Sequence, residues 1–174
     1  MLYNKTMQWD KITNIILIAS FAVLLVFVIL ALTQWIKRKS LKKTDKELLW
    51  FPLPLVLMVI TYIIFDKFLI CNTRPDGSGE ASFPSTHVMV VATIFFLVAI
   101  ILPKYIKSKV ACAALYVFML AFISLTCVGR ILANKHWLSD VLGALGFALI
   151  FAVIYYLIIR RTKHAKHLQP NHQG

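Results

Sequence analysis

The sequence predicts an all-α protein, a polytopic bundle of five transmembrane helices. Of its 174 residues, 60% are apolar and only 15% are charged. A soluble domain is typically about 45–50% apolar, and a chain this short cannot bury such an excess in one core. The apolar residues also form continuous blocks, not amphipathic stripes. Blocks of about 18 residues or more are typical of helices that cross a membrane.

Five apolar blocks follow one another along the chain. The predicted spans are Ile12–Ile36, Leu48–Phe65, Val88–Leu102, Val110–Val128 and Trp137–Ile159. The first block is too long for the core of a signal peptide and lacks a small-residue cleavage pattern, so we expect it to be retained. The third block, of about 15 residues, would reach only about 22 Å, less than the hydrocarbon core of about 30 Å. We expect one membrane-embedded domain over residues 1–174, with a mobile basic tail over residues 161–174.

The positive charge is concentrated on one predicted side of the membrane. The net charge is +12, and most basic residues lie in the loops Lys37–Glu47 and Pro103–Lys109 and in the tail. The positive-inside rule places these segments in the cytoplasm, with the N-terminus outside and the C-terminus inside. This distribution argues against nucleic acid as a partner. It favours contact with anionic membrane lipids.

Three short polar clusters interrupt the apolar sequence. They are Lys67 with Arg74-Pro75, then Pro84-Ser85-Thr86-His87, then Arg130 with His136 and Asp140. If the spans alternate in direction, all three clusters fall on the external side. Charged groups near the membrane are costly to place, so they are a default sign of function. Cations suit a phosphate, and histidines with a carboxylate suit the cleavage of its ester bond.

His136 and Asp140 are four residues apart, which puts both side chains on one face of a helix. Asp140 could then accept the Nδ1 hydrogen of the imidazole and leave Nε2 as a nucleophile, as in catalytic triads. The alternative is a helix-start pair in which Ser139 or Asp140 serves as a cap.

His87 stands at the predicted start of the third span. Ser85 or Thr86 is the expected N-cap, so free backbone N–H groups and the positive end of the helix dipole could bind an anion there. His87 could protonate a leaving oxygen as a general acid. The alternative is an ordinary capped helix start with a histidine in the membrane interface.

Lys67, Arg74 and Arg130 are the candidate phosphate-binding cations. The alternative for such residues is snorkelling to the membrane interface. Asp76 and Glu80 raise a further possibility, a divalent metal held together with the two histidines. Three cations in the same place would repel a metal ion, so we expect neither a metal nor another cofactor.

In chain order the clusters are Lys-x6-Arg-Pro, Pro-Ser-Thr-His and Gly-Arg-x5-His-x3-Asp. Together they resemble the signature of the type 2 phosphatidic acid phosphatase (PAP2) superfamily, which also contains vanadium haloperoxidases. The usual family forms are K-x6-RP, PSGH and SR-x5-H-x3-D, and the match covers residues 67–140. Thr86 replaces the usual Gly, and Gly129 replaces the usual Ser. Five spans are predicted where membrane members commonly have six.

The resemblance implies a role for each matched residue. His136 would attack phosphorus and form a phosphohistidine, Asp140 would orient it, and His87 would protonate the leaving group. The phosphoryl oxygens would be held by Lys67, Arg74, Ser85, Thr86 and Arg130. Thr86 keeps the backbone N–H that the family Gly provides, whereas Gly129 lacks the hydroxyl of the family Ser.

The expected function is a metal-independent lipid phosphate phosphatase at the outer face of a bacterial cytoplasmic membrane. Undecaprenyl pyrophosphate ranks first as substrate, before phosphatidylglycerophosphate, phosphatidic acid and the phosphate of lipid A. A transporter or flippase of anionic lipids is the alternative, and a structural assembly protein is a third option. Transport does not require the spacing of His136 and Asp140, and the short chain has no inverted repeat. The sequence does not indicate an oligomeric state.

Overall fold

The structure, a computed structural model, describes residues 2–40, 44–69 and 71–167 and forms a bundle of helices. The helices are α1 (Leu2–Arg38), α2 (Lys46–Trp50), α3 (Pro52–Ile63) with a π-helical continuation (Ile64–Phe68), α4 (Thr86–Tyr105), α5 (Lys109–Leu132) and α6 (Leu138–His167). Five segments are long and apolar enough to cross a membrane: Asn4–Arg38, Lys46–Phe68, Thr86–Tyr105, Lys109–Leu132 and Leu138–Thr162. The predicted all-α bundle of five spans is therefore confirmed.

The third span is longer than the sequence predicted. Helix α4 has 20 residues and continues past Pro103 to Tyr105. At 1.5 Å per residue it reaches about 30 Å, the thickness of the hydrocarbon core. The expectation of a short third span was wrong because apolarity ends at polar residues such as His87 and Lys104, whereas helical hydrogen bonding continues through them. His87 thus lies in the first turn of a full-length span.

Two basic segments lie partly outside the described residues. These are residues 41–43 of the first basic loop and residues 168–174 of the expected tail. Helix α6 continues to His167, so the beginning of the expected tail, residues 161–167, is helical.

Helix α4 forms the centre of the bundle and packs against α1, α5 and α6. Most of its residues are buried. On α6, Ala144, Ala148 and Ala152 recur every fourth residue, and all three are buried. Small residues in such a row let two helix backbones approach closely. The row therefore serves helix packing.

A partly buried polar cluster joins four helices at the end of the bundle where α1 ends. Lys104 Nζ lies 3.2 Å from Asp45 Oδ2 and 2.7 Å from Glu47 Oε2. Gln34 Nε2 donates to Asp45 Oδ2 at 2.9 Å, and the Tyr155 hydroxyl donates to the Glu47 carbonyl at 2.6 Å. Burial opposes the ionisation of Asp45, but the hydrogen bonds from Gln34 and Lys104 outweigh it and lower the pKa of Asp45 to about 2. This cluster ties the ends of α1 and α4 to α2 and α6.

At the opposite end, α1 and α5 come into close contact at Gly129. A Cβ atom at this position would lie 2.5 Å from Thr13 Cγ2 and 3.5 Å from the Trp9 ring. Thr13 cannot turn away freely, because its hydroxyl donates to the carbonyl oxygens of Trp9 and Asp10. The departure from the family serine therefore has a structural reason: a side chain at residue 129 would collide with α1.

We predict that Gly129→Ser destabilises the protein by about 1–3 kcal/mol, the usual cost of overpacking. Thr13→Ser removes the clashing Cγ2 atom and keeps the hydroxyl, so it should recover most of this loss in the double variant. The free energy of unfolding of both single variants and the double variant, measured by SDS titration in mixed micelles, gives the coupling between the two sites. Additive effects would contradict the close contact.

Candidate active site

A short hairpin, residues 72–82, closes one end of the bundle between the π-helical turn and α4. Thr73 and Ala81 form an antiparallel bridge. Arg74 N–H donates to Glu80 O at 3.0 Å, and Ser82 N–H donates to Asn72 O at 2.9 Å. The turn contains Gly77 and Gly79 with φ of 79° and 74°, a conformation that favours glycine.

The hairpin is fastened to the residues around the start of α6. The Trp137 indole Nε1–H donates to Thr73 O at 2.9 Å, and Lys135 Nζ lies 2.8 Å from Asp76 Oδ2. The hairpin is therefore anchored by two contacts with residues that are distant from it in the sequence.

His136 lies in the turn between α5 and α6 and is 4% exposed. Its Nδ1 is 2.8 Å from the backbone carbonyl oxygen of Ser82. A carbonyl oxygen only accepts, so Nδ1 carries the hydrogen and Nε2 keeps its lone pair. This is the tautomer that a nucleophilic imidazole requires, but the partner that selects it is Ser82. The Asp140 carboxylate lies 3.9 Å from Nδ1, beyond hydrogen-bonding distance.

Asp140 is fully buried and supports the site in a different way from the one expected. It accepts hydrogen bonds from the Ser82 hydroxyl, from Trp137 N–H at 2.8 Å and from Asn72 Nδ2 at 3.2 Å. The bond from Trp137 caps the start of α6, which was the alternative interpretation from sequence. The hydrogen bond from the Ser82 hydroxyl fixes the position of Ser82, and the carbonyl of Ser82 accepts the hydrogen of His136 Nδ1. Asp140 therefore reaches His136 through Ser82, and the expected direct hydrogen bond is absent.

Arg130 and Arg74 each pair with a carboxylate through one end of the guanidinium group. Arg130, 4% exposed, donates from Nη1 to Asp10 Oδ1 at 2.7 Å. Arg74 Nη1 lies 2.5 Å from Glu80 Oε2. The Nε atoms of both arginines are buried and have no hydrogen-bond partner among the described residues. An unpaired buried donor costs about 1–3 kcal/mol, so these positions suit an oxygen-rich anion.

Ser85 and Thr86 form the start of α4. Ser85 is the N-cap residue by backbone conformation, as expected, but its side chain makes no capping bond. Its N–H donates to the Asp140 carbonyl at 3.1 Å, which joins α4 to α6. The Ser85 hydroxyl is buried without a partner in the described part of the chain. It is a third unpaired polar group among the residues that the sequence assigned to phosphate binding.

A pocket of about 90 Å³ brings several predicted residues together. Its lining residues are Tyr62, Asp66, Arg74, Ala81, Phe83, Pro84, Thr86 and His136. The nucleophile candidate, one of the arginines and the N-terminus of α4 thus share one small space. The positive end of the α4 dipole favours an anion here.

Five of the predicted residues do not line this pocket: Asp140, Ser85 and Arg130, which are described above, and His87 and Lys67. The His87 ring has its Nε2 2.7 Å from Asn14 Oδ1 of α1. Lys67 has a side chain that is 69% exposed and pairs with its neighbour Asp66 at 2.8 Å. The structure therefore does not bring the Lys67 ammonium group to the pocket, although Asp66 lines it.

The carboxylates considered for a metal are both engaged by cations. Asp76 pairs with Lys135, and Glu80 pairs with Arg74. The hydrogen bond from Lys135 and those from Ser78 hold the pKa of Asp76 well below its usual range. Within the described ranges, no group of three His, Cys, Asp or Glu side chains is arranged to hold a metal ion.

Sequence reasoning missed four residues that complete the site, namely Asn72, Ser82, Asp10 and Asn14. Ser82 lies only two residues before the Pro84 cluster, but nothing in its local pattern distinguishes it from other loop serines. Asp10 and Asn14 are polar residues near the N-terminal end of the first span. Their four-residue spacing on a helix was the available signal.

The environment of His136 keeps its imidazole neutral. Burial is the main cause that lowers its pKa, and the positive charges of Arg130 and Arg74 add to it. The Ser82 carbonyl and the Asp140 carboxylate act in the opposite direction but do not compensate. The resulting pKa is about 4, against about 6.5 for an ordinary histidine.

The fold is that of a polytopic membrane protein, and its pocket places Arg74 beside the buried His136. The family model of the PAP2 superfamily matches residues 62–163, more than half of the chain. The chain belongs to the PAP2 superfamily, as the three motifs predicted.

Two known proteins are similar to this chain. The lipid A 1-phosphatase of Rhizobium johnstonii is 29% identical over 94 residues, which cover 54% of this chain and 34% of the relative. The match thus spans about a third of that curated relative. The crystal structure of a transmembrane PAP2-type phosphatidylglycerolphosphate phosphatase from Bacillus subtilis has a TM-score of 0.64 at 20% identity. The structural match covers 95% of this chain and 79% of the Bacillus subtilis protein, and the similarity concerns the fold.

We predict that the His136 ring titrates near pH 4, measured by NMR of ¹⁵N-histidine-labelled protein in detergent. Since the folded pKa lies below that of the unfolded chain, protons favour unfolding, and stability should fall as the pH drops from about 6.5 to about 4. Arg130→Gln removes a positive charge and should raise the pKa of His136. A wild-type His136 titrating near 6.5 would contradict the burial and the charge effects.

Proposed function

We propose that this protein is a membrane phosphatase that removes phosphate from lipid phosphates or pyrophosphates through a phosphohistidine intermediate. The observation that carries the proposal is the tautomer of His136. Its Nδ1 hydrogen is bound by Ser82 O at 2.8 Å, which leaves the Nε2 lone pair for attack in a pocket that also contains Arg74. Membership in the PAP2 superfamily supports this chemistry.

In the proposed reaction, His136 Nε2 attacks phosphorus and forms a P–N bond while the P–O bond to the lipid breaks. The electron pair of that bond stays on the leaving oxygen, which takes a proton from His87. Water then attacks phosphorus, gives a proton to His87 and breaks the P–N bond, so that the electron pair returns to Nε2. The net products are phosphate and the dephosphorylated lipid.

The phosphoryl oxygens would be held by the unpaired donors and by the start of α4. Arg74 Nε, Arg130 Nε and the Ser85 hydroxyl are buried donors without partners in the described structure. The backbone at Thr86 adds the positive end of a helix. Lys67 can join this set by exchanging Asp66 for a phosphate oxygen. Charge stabilisation and positioning of this kind dominate phosphoryl transfer.

A lipid substrate fits the position of the site. The pocket lies at one end of a bundle of five apolar spans, where a head-group phosphate can approach from the membrane. The sequence ranked undecaprenyl pyrophosphate first. The two relatives are named for lipid A and for phosphatidylglycerolphosphate. These names support testing both lipids together with undecaprenyl pyrophosphate.

The sidedness of the site follows from the basic loops. The start of α1 contacts the site through Asp10 and Asn14, so the N-terminus and the site share one face of the bundle. The basic loops lie at the opposite end. By the positive-inside rule, the site would face the exterior of a bacterial cytoplasmic membrane.

We predict phosphate release by the purified protein from at least one member of a panel of lipids. The panel contains undecaprenyl pyrophosphate, phosphatidylglycerophosphate, phosphatidic acid and lipid A. His136→Ala should abolish release because no nucleophile remains, and Lys107→Ala at the exposed opposite end should not change it. Activity should persist in EDTA and be blocked by vanadate.

Phosphate release by the His136→Ala variant would show that His136 is not the nucleophile. Loss of activity in EDTA with recovery in magnesium would indicate a metal-dependent reaction. Binding of the lipids without any release of phosphate would favour the transporter.

We predict that an impermeant maleimide labels native Cys71 in intact cells, because this free thiol is exposed at the site end. Cys71→Ser should abolish the labelling, since Cys112 is buried and Cys127 is half-buried in α5. In the Cys71→Ser background, Lys107→Cys should be labelled only after permeabilisation. The reverse pattern would invert the topology.

A further inference from the structure

Helix α1 contributes a polar pair to the candidate active site, and no motif of the sequence assigns these residues a role. Asp10 and Asn14 are four residues apart, so they lie on one face of α1. Asp10 Oδ1 accepts from Arg130 Nη1 at 2.7 Å, and Asn14 Oδ1 lies 2.7 Å from His87 Nε2. The two residues thus contact one candidate phosphate ligand and the candidate general acid.

The pair is itself connected. Asn14 Nδ2 donates to Asp10 Oδ2 at 3.4 Å. This bond fixes the orientation of the Asn14 amide, because the nitrogen faces the carboxylate and the oxygen faces His87. An amide oxygen only accepts, so His87 Nε2 carries a hydrogen. A continuous chain of hydrogen bonds therefore runs from Arg130 through Asp10 and Asn14 to His87.

We propose that Asp10 and Asn14 are positioning residues for the reaction, an inference that rests on the proposed function. Asp10 holds one end of the Arg130 guanidinium and leaves Nε for a phosphoryl oxygen. Asn14 holds the Nε2–H of His87, so that Nδ1 is the atom that takes up a proton from the bound phosphate ester or from solvent and delivers it to the leaving oxygen. After the transfer, His87 is neutral, with its remaining hydrogen still bound to Asn14.

The close contact of α1 with α5 is what allows this arrangement. Thr13 lies between the pair in sequence and is fully buried against Gly129. Its hydroxyl oxygen is also 3.4 Å from Arg130 Nη1. A bulkier residue at position 129 would move α1 outward and separate Asp10 from Arg130. The glycine that departs from the family pattern therefore makes room for a helix that contributes to the site.

The experiment compares two phosphate esters with different leaving groups. An alkyl lipid phosphate needs a proton on its leaving oxygen, whereas nitrophenyl phosphate releases a stable phenolate without one. Asn14→Leu keeps the approximate size but removes the acceptor, so kcat/KM for the lipid, which reports formation of the phosphohistidine, should fall by about 10²-fold, the scale of misplaced catalytic groups, with kcat/KM for nitrophenyl phosphate retained. Asn14→Gln should restore part of the loss.

Asp10→Asn should act on both substrates alike, because it loosens the group that holds the phosphoryl oxygens. KM should rise for the lipid and for nitrophenyl phosphate, and Asp10→Glu should recover part of the affinity. Gln8→Leu is the matched control, since Gln8 is an exposed polar residue of the same helix. It should leave both activities unchanged. Tighter vanadate binding by Asp10→Asn would mean that Asp10 competes with phosphate, which would overturn its positioning role.

An NMR measurement separates this proposal from the proposed function. In ¹⁵N-histidine-labelled wild-type protein, the His87 ring should be in the Nε2–H form, and in Asn14→Leu it should become a mixture of tautomers. His136 should keep its Nδ1–H form in both. If no phosphate ester is hydrolysed, the proposed function fails, but the tautomer still tests the pair. A wild-type His87 in the Nδ1–H form, or an equal loss of kcat/KM for both substrates in Asn14→Leu, would overturn the proposal.

Discussion

The two hydrogen bonds that Ser82 makes with its carbonyl and hydroxyl groups hold the site end of the molecule together. The carbonyl receives the His136 hydrogen at 2.8 Å, and the hydroxyl donates to Asp140. Ser82 N–H also closes the hairpin on Asn72. All three side chains at the centre are buried, so each bond that is lost would leave an unsatisfied polar group at about 1–3 kcal/mol. The imidazole orientation, the start of α6 and the hairpin therefore depend on one another.

The membrane explains why the polar groups gather at the two ends of the bundle. Polar groups in the hydrocarbon region must be satisfied within the protein, and the middle of α4 is accordingly apolar and buried. The end with Asp45 and Glu47 is a closed cluster of paired charges. The opposite end instead keeps buried arginine and serine donors that have no partner in the described structure. The polar groups at one end therefore pair with one another, whereas several buried donors at the other end have no partner among the described residues.

Helix α1 connects these two ends. Its Gln34 belongs to the closed cluster, and its Asp10 and Asn14 reach Arg130 and His87 at the other end. Its lipid-facing surface is apolar and exposed over most of its length, as expected of a membrane span. From its sequence, α1 has the composition of a plain membrane span. In the structure it also contacts the residues of the candidate site. Gly129 permits this close approach.

The amino-acid sequence by itself determined the number of spans, their order and the three motifs, because apolar length and residue spacing are local properties. It assigned His136, Arg74 and Thr86 to one candidate site, and all three line the same pocket. The sequence did not determine the hydrogen-bond partner of each polar group. Asp140 is four residues from His136 but bonds to Ser82, and Arg130 pairs with Asp10, 120 positions away in the chain. Such choices depend on which atoms the packing of distant helices brings within about 3 Å, and only the tertiary structure decides that.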